Sequence, residues 1–247
     1  MISVAVLGSE GRMGRTVCQA VSEAPDMELV ARLDAGDEIT PEHLNGADVA
    51  VDFTVPQASE GNVHACLDAG INVVVGTTGW TDEAIERVRA HADEAGQCVL
   101  IAPNFAMSAV LVMEFAKKAA RYFDSVEVLE MHHPRKLDAP SGTAHATARG
   151  IAAARKHVHM AAMPDATQTD ALGTRGGVVD GVPVHAIRLA GLNAHEEVLF
   201  GNPGEQLVLR TDCFDRVSFM PGVLHAVRAV LPRRGLILGL DQVLDLD

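Results

Sequence analysis

Residues 2–14 read Ile2-Ser3-Val4-Ala5-Val6-Leu7-Gly8-Ser9-Glu10-Gly11-Arg12-Met13-Gly14. The β-branched apolar run predicts a strand over Ile2–Leu7, and the pattern after it predicts a helix over Arg12–Ala24. Three glycines at intervals of three residues join the two elements. A strand that passes through a glycine turn into a helix is the start of a βαβ unit, so this stretch predicts a parallel sheet.

The same alternation continues through the first 105 residues. Further strands are predicted at Met27–Leu33, Val49–Phe53, Asn72–Gly76 and Cys98–Ala102. Further helices are predicted at Gln57–Ala69 and Asp82–Ala95, the latter with Thr81 as its N-cap. Each strand ends in a turn-like or polar signal. In open α/β sheets ligands bind along that edge, so the ligand site of this part is expected there.

The pattern changes near Ala106. It predicts helices at Ser108–Tyr122 and from Ser141 to about Lys156, with a strand between them, and three later extended segments that indicate a mixed or antiparallel sheet, Val184–Leu189, Glu197–Phe200 and Gln206–Arg210. A helix at Pro221–Leu231 and a strand at Leu236–Leu240 are expected to rejoin the first domain. We therefore predict an α/β chain with residues 1–106 and 216–247 in one domain and 107–215 in a second, α+β domain.

Composition limits the classes of partner. The 247 residues carry a net charge of −13 without a basic stripe, which argues against nucleic acid. No apolar stretch reaches membrane-spanning length and the first residues do not resemble a signal peptide, so a cytoplasmic protein is expected. Four separate cysteines support neither a disulfide framework nor a zinc site, and we interpret them as reduced, mostly buried thiols. A small molecule or a second copy of the chain is the expected partner.

The glycine turn favours a dinucleotide. Gly8, Gly11 and Gly14 permit a tight turn and close approach of a pyrophosphate to the backbone. Asp34, at the end of the second predicted strand, is placed to accept hydrogen bonds from ribose hydroxyls. The alternative is a glycine turn of a flavodoxin-like or other α/β protein. Asp34 would repel a 2′-phosphate and Arg12 would attract one, so we expect NADH to be favoured over NADPH, with use of both.

A second stretch, Glu130-Met131-His132-His133-Pro134-Arg135-Lys136-Leu137-Asp138-Ala139-Pro140-Ser141-Gly142-Thr143, holds residues that core packing does not require. It follows an apolar alternating segment, so the two histidines are expected at a strand end, where catalytic residues are often found. The alternatives for the histidines are solvated side chains or metal ligands, and no third-ligand pattern accompanies them.

These motifs together resemble the 4-hydroxy-tetrahydrodipicolinate reductase family, also called dihydrodipicolinate reductase. The resemblance spans nearly the whole chain and is carried by five motifs in the family's order: Gly8 to Gly14, Asp52-Phe53-Thr54, Gly76-Thr77-Thr78-Gly79, Ala102-Pro103-Asn104-Phe105, and His132 to Thr143. It implies a Rossmann-like dinucleotide domain joined by two hinges to a substrate domain that forms a homotetramer, and a cyclic imine dicarboxylate as substrate.

The resemblance also implies roles for individual residues. His132 and Lys136 match the catalytic positions. The substrate-binding positions are matched by His133, Ser141, Gly142 and Thr143. The dinucleotide-binding positions are matched by Gly8, Ser9, Glu10, Gly11, Arg12, Met13, Gly76, Thr77, Thr78, Ala102, Pro103, Asn104 and Phe105. No metal is implied.

The residue types suit such a reaction. A histidine titrates near neutral pH, so His132 is expected to donate the proton that follows hydride transfer. Lys136 supplies either a proton or only positive charge. Ser141, Gly142 and Thr143 begin a helix, whose N-terminus favours a carboxylate; alternatively, Ser141 is simply an N-cap and Thr143 a first-turn residue.

Two positions depart from the family pattern. Glutamine commonly stands at the position of Glu196, and histidine at that of Thr211. Two other functions remain open: another NAD(P)-dependent amino-acid or imine dehydrogenase, and a catalytically idle dinucleotide sensor. Neither explains the stretch from His132 to Thr143.

Overall fold

The computed structural model describes residues 1–246. Residues 1–106 form β1 (Ile2–Leu7), α1 (Arg12–Glu23), β2 (Met27–Leu33), α2 (Pro41–Leu44), β3 (Val49–Asp52), α3 (Pro56–Asp68), β4 (Asn72–Val75), α4 (Asp82–Ala95) and β5 (Cys98–Ile101). Residues 107–215 form α5 (Met107–Ala119), β6 (Ser125–His132), α6 (Gly142–His157), β7 (Gly177–Val179), β8 (Val182–Arg188), β9 (Ala194–Asn202) and β10 (Glu205–Cys213). The last part forms a 3₁₀ turn (Arg216–Phe219), α7 (Met220–Val230), β11 (Gly235–Leu238) and a second 3₁₀ turn (Asp241–Val243).

The chain divides into two compact units, Met1–Ala106 with Arg216–Asp247 (unit 1) and Met107–Asp215 (unit 2). Unit 1 contains a six-stranded parallel sheet in the order β11-β5-β4-β3-β1-β2. Unit 2 contains a five-stranded sheet in the order β10-β9-β6-β8-β7, in which β6 and β8 are parallel and the other pairs antiparallel. The predicted α/β class, a Rossmann-like parallel sheet with a second mixed sheet, is confirmed.

The core of unit 1 explains why its central strands are apolar along their whole length. Strands β3, β4 and β5 are buried along their whole length, as expected for parallel strands covered by helices on both faces. Each ends one residue earlier than predicted, because Phe53, Gly76 and Ala102 already turn out of the sheet, although their N–H groups still bond to the neighbouring strand.

Local sequence signals fix the helices. Thr81 caps α4 as predicted, since its hydroxyl accepts the N–H of Ala84, and Gly96 ends the helix with φ of +67°. In α1, Gly14, Val17, Cys18 and Val21 form the buried face at helical spacing.

The structure adds elements that the sequence did not predict, the short helix α2 and the three-residue strand β7. All four cysteines are buried, as the sequence indicated, and none of them pairs with another. Within residues 1–246, every helix falls short of the length and apolarity that crossing a bilayer requires.

At Gly222 in α7, any side chain is predicted to destabilise the fold. A Cβ atom at this position would lie 2.1 Å from the carbonyl oxygen of Phe105, a backbone atom, so Gly222→Ala should lower the free energy of unfolding by about 1–3 kcal/mol. Gly61→Ala in α3 is the control, because a Cβ there meets nothing within 4 Å and should stabilise by about 0.5–1 kcal/mol. Urea unfolding measures both; equal effects would contradict the packing argument.

Candidate active site

The glycine turn after β1 leaves room only for backbone. Gly8 has φ of +76°, and its carbonyl accepts the N–H of Gly11 at 3.0 Å. A Cβ on Gly14 would lie 2.0 Å from that carbonyl oxygen, so α1 can approach the turn this closely only with glycine there. Helix α1 begins without a side-chain cap and without an acidic residue in its first turn. Its N-terminus is therefore suited to a phosphate group.

Asp34 lies beside this turn. Its two carboxylate oxygens accept the N–H groups of Glu10 (2.6 Å) and Ala35 (2.7 Å). Hydrogen bonds from Ala35 and Glu10 hold the pKa of Asp34 below its usual value, so the group is charged at neutral pH. A cavity of about 360 Å³ opens next to it and is lined by Gly8, Gly11, Asp34, Phe53, Thr54 and Asn62, among others. Turn, helix end, charged acid and cavity fit the ribose and phosphate of a dinucleotide.

A second carboxylate organises the ends of β3 and β4. Asp52 is fully buried, and its Oδ1 accepts hydrogen bonds from the N–H and hydroxyl of Thr54 and from the hydroxyl of Thr77. Its Oδ2 accepts from Asn62 Nδ2 at 3.0 Å. The side chain of Thr77 is thus committed to the protein interior. Asp52 and Asn62 received no role from the sequence.

The remaining predicted dinucleotide residues lie along the same sheet edge, because β5, β4, β3, β1 and β2 are adjacent and parallel. Ser9 is buried, whereas Glu10, Arg12 and Thr78 are exposed. A Cβ on Gly76 would lie 2.0 Å from the ring of Phe53. After β5, Ala102 and Phe105 are buried and Pro103 is exposed, while Asn104 Oδ1 accepts the N–H of Ala106. Met13 lies partly buried in the first turn of α1.

In unit 2, His132 is the last residue of β6 and is held by Glu130. Its Nδ1 lies 2.7 Å from Oε2 of Glu130, which is fully buried. An ionised carboxylate only accepts, so Nδ1 carries the hydrogen and Nε2 is the second, unprotonated nitrogen of the neutral ring. Burial lowers the pKa of His132; Glu130 opposes that shift, and the positive charges of Lys136 and Arg188 add to it.

Glu130 joins three segments of unit 2. Arg188 of β8 donates to both of its oxygens, at 2.6 and 2.8 Å, and the backbone N–H of Ser141 donates to Oε1 at 3.0 Å. Burial favours the neutral form, but the hydrogen bonds from Arg188 and His132 outweigh it and keep the pKa of Glu130 below its usual value. Arg188 also donates to the carbonyl of Asp138 in the loop before α6.

The loop between β6 and α6 holds the other predicted residues. Lys136 Nζ lies 2.9 and 3.0 Å from the two carboxylate oxygens of Asp138. His133 follows β6, and its Nδ1 is buried without a hydrogen-bonding partner. A buried polar atom of this kind points to a ligand or water that the protein itself does not supply.

Helix α6 begins at Gly142. Ser141 Oγ accepts the N–H of Ala144 at 3.1 Å and so caps the helix, which is the structural alternative considered for this residue. Gly142 is exposed, and a Cβ there would meet nothing within 4 Å. Thr143, in the first turn, accepts the hydroxyl of Thr147 at its carbonyl oxygen. The structure therefore brings His132 and Ser141 together through Glu130, with Lys136 in the connecting loop.

Sequence analysis missed Glu130, Arg188 and Asp138. Glu130 lies two residues before His132, so the alternation of a strand already places both on one face. Arg188 gives no such signal because it lies 58 residues from Glu130 along the chain. Within residues 1–246, no three histidine, cysteine or acidic side chains cluster as a metal site.

Together, the parallel sheet with its glycine turn and the histidine site of unit 2 define a pyridine-nucleotide-dependent oxidoreductase. Family models described as "Dihydrodipicolinate reductase, N-terminus" and "Dihydrodipicolinate reductase, C-terminus" match residues 2–105 and 108–244. The chain belongs to the dihydrodipicolinate reductase family.

Individual relatives agree with this assignment. The chain is 62% identical over 247 residues to the 4-hydroxy-tetrahydrodipicolinate reductase of Beutenbergia cavernae, covering 99% of each chain. It is 53% identical over 246 residues to that of Corynebacterium diphtheriae, again covering 99% of each. Among solved structures, the dipicolinate-bound dihydrodipicolinate reductase of Paenisporosarcina sp. TG-14 is 38% identical with a TM-score of 0.89, covering 99% of this chain and 100% of that one.

Removal of Arg188 should destabilise the fold, because it leaves the buried charge of Glu130 without its main partner. Arg188→Met is expected to lower the free energy of unfolding by about 3–5 kcal/mol at neutral pH. Because the pKa of Glu130 is lowered in the fold, the stability that its charge contributes is present above 4.5 and is lost as the pH falls through the folded value. The loss caused by Arg188→Met should therefore be larger at neutral pH than at acid pH.

The control is Arg210→Met, which removes a half-exposed partner of Glu197 and Asp212 and should cost under about 1 kcal/mol. Urea unfolding across pH compares the variants. A loss for Arg188→Met that does not change with pH would contradict the assignment to Glu130.

Proposed function

We propose that this chain reduces 4-hydroxy-tetrahydrodipicolinate to tetrahydrodipicolinate, a step of diaminopimelate and lysine biosynthesis, with NADH or NADPH as reductant. The observation that carries the proposal is the cluster in unit 2, where buried Glu130 holds His132 and the start of α6 together. Unit 1 is proposed to bind the dinucleotide and unit 2 the substrate.

His132 is proposed as the proton donor. Loss of water from the substrate leaves a conjugated ring; the nucleotide, when bound, supplies hydride to it, and the ring atom that receives the electron pair then takes a proton. Burial keeps the pKa of His132 low, so the ring is neutral in the free protein. A bound dicarboxylate brings negative charge that favours the imidazolium, with Glu130 stabilising it at Nδ1. Substrate binding would thereby favour protonation of His132 at Nε2.

The substrate carboxylates are proposed to meet Lys136 and the start of α6. Lys136 pairs with Asp138, whose side chain is 60% exposed, so a substrate carboxylate can replace this partner at small cost. The backbone N–H groups and hydroxyls from Ser141 to Thr143 suit the second carboxylate. The unpartnered Nδ1 of His133 is available for a hydrogen bond to substrate.

In unit 1 we propose that the dinucleotide lies along the sheet edge. Its pyrophosphate would contact Gly8 to Met13, and its adenosine ribose would contact charged Asp34. Further contacts come from Gly76 to Thr78 and from Ala102 to Phe105. The charge of Asp34 favours NADH, and exposed Arg12 leaves use of NADPH open.

The decisive measurement is oxidation of NADH, and separately of NADPH, on substrate formed in place from aspartate semialdehyde and pyruvate by the preceding synthase. We expect turnover with both nucleotides and a lower KM for NADH. Lys136→Ala should lower kcat/KM by roughly 100-fold to 1,000-fold, because it removes charge at the reacting ring. Lys156→Ala, at the far end of α6, is the control and should match the unmodified protein.

The outcomes separate the rival functions. Oxidation that does not require the synthase product would indicate a different imine or amino-acid dehydrogenase. Nucleotide binding without turnover would favour the idle sensor. Equal activity of Lys136→Ala and the control would remove Lys136 from the mechanism while leaving the reaction assigned.

A homotetramer built through unit 2 is also proposed. Helices α5 and α6 cover one face of its sheet, and the other face is open. Apolar side chains occupy that face, among them Leu129, Ile187, Leu199 and Val208, of which Ile187 and Val208 are 39% and 49% exposed. The ion pairs of Glu127 with Arg175 and of Glu197 with Arg210 border them. An apolar patch with a charged rim of both signs suits a second copy of the same face.

Val208→Asp should break this assembly, because it places a charge in the centre of the proposed interface. Size-exclusion chromatography with light scattering is expected to give the mass of four 26.1 kDa chains for the unmodified protein and a smaller mass for the variant. Leu172→Asp is the control, since Leu172 lies 88% exposed in a loop of unit 2. If Val208→Asp is still a tetramer, the interface does not lie on this face of the sheet.

A further inference from the structure

Glu196 is a buried acid that the proposed mechanism does not use. It lies in β9 on the helix-covered face of the sheet of unit 2 and is only 4% exposed. Its partner across the strands is Glu130 on one side and Thr211 on the other. The two positions that depart from the family pattern, 196 and 211, are thus direct neighbours, next to the acid that holds His132.

The contacts of Glu196 suit a neutral carboxyl better than a charged one. The Thr147 hydroxyl of α6 has one hydrogen and two oxygen neighbours, Glu196 Oε1 at 2.7 Å and the Thr143 carbonyl at 3.0 Å. A protonated Glu196 can donate to Thr147 and leave that hydrogen for the Thr143 carbonyl, whereas a carboxylate cannot. Glu196 Oε2 is buried without a hydrogen-bonding partner. Thr211, from β10, pairs its own hydroxyl with Ser108 of α5. The charged group that acts on Glu196 is Glu130, which has the same sign. A carboxylate with one bare oxygen beside another carboxylate is costly in the interior.

The charges around Glu130 balance only if Glu196 carries a proton. Glu130 is negative and Arg188 is positive, and burial keeps His132 neutral in the free protein. An ionised Glu196 would leave one uncompensated negative charge in this cluster. Burial, with the charge of Glu130 adding to it, raises the pKa of Glu196 to about 7, against the lowering effect of Thr147. The proton is therefore lost within the physiological range.

We propose that Glu196 is a positioning residue whose protonated form permits binding of a dicarboxylate at the start of α6, and whose ionisation opposes it. The proposal rests on the function proposed above. The link runs through Thr147, which lies one turn after Thr143 and whose hydroxyl lies 2.7 Å from Glu196 Oε1 and 3.0 Å from the Thr143 carbonyl oxygen. An ionised Glu196 takes the Thr147 hydrogen away from the Thr143 carbonyl and repels the anion that the first turn of α6 would hold.

Stability tests the proton without any ligand. Because the pKa of Glu196 is raised in the fold, the stability that its proton provides is full below 4.5 and is lost as the pH rises through about 7. Relative to Glu196→Gln, the unmodified protein should therefore lose stability across that window and stay constant above it, as measured by urea unfolding. A difference that stays constant with pH would overturn the proposal. The infrared band of a protonated carboxyl in the unmodified protein, present at about pH 6 and lost by about pH 8, gives the same answer without a variant.

Dipicolinate, the ligand named for the Paenisporosarcina enzyme, tests the consequence. Calorimetry at about pH 6 and about pH 8 should show binding that weakens on the order of tenfold in the unmodified protein, as expected for one buried charge acting on a nearby anion. Glu196→Gln should remove most of that change, since glutamine has the same shape and stays neutral. Glu205→Gln is the control, because Glu205 lies beside Asn202 at the opposite end of β10 from Thr211 and should behave like the unmodified protein.

The two proposals fail in different ways. Dipicolinate that binds none of the three proteins at either pH would contradict the substrate site of unit 2 and the role of Glu196 with it. Binding that weakens equally in the unmodified protein and Glu196→Gln would contradict only the role of Glu196, because the two proteins differ at that one group.

Discussion

Glu130 carries its charge in the interior of unit 2, where its two oxygens accept four hydrogen bonds from His132, Arg188 and Ser141. A buried carboxylate is tolerated only when such partners are all present, so each partner is fixed in turn. Strand β6, strand β8 and the start of α6 are therefore held in one arrangement. The position of the imidazole and the position of the helix N-terminus then follow from a single charge.

In unit 1, a buried carboxylate likewise fixes the loops around it. The carboxyl edge of its sheet is made of short loops, and loops alone hold side chains poorly. Buried Asp52 binds Thr54, Asn62 and Thr77, so the turns after β3 and β4 are tied to one another. The glycine turn needs no such anchor, because close packing of Gly14 on Gly8 already excludes other conformations. Each unit thus uses one desolvated carboxylate to make a rigid surface from irregular backbone.

The sequence predicted what short-range patterns control. Strands β1 and β2 and helix α4 have the predicted bounds, since apolar runs and a capping threonine are local signals. Strand β7 and helix α2 were missed because three or four residues carry no period. Roles that depend on pairing between distant parts of the chain were missed too. No local sequence pattern around Arg188 indicates its contact with Glu130. Only the register of β9 against β6 and β10 places Glu196 between Glu130 and Thr211.

In the proposed mechanism, the pairing of Lys136 with Asp138 is the contact that substrate replaces. Both carboxylate oxygens of Asp138 contact the ammonium, yet the acid is largely exposed, so water can solvate it when it is displaced. Its backbone carbonyl stays bound to Arg188, which keeps the loop in place during the exchange. Glu130, in contrast, has no access to water and cannot exchange its partners. In the proposed exchange, the difference in burial between these two acids therefore decides which acid gives up its partner and which keeps it.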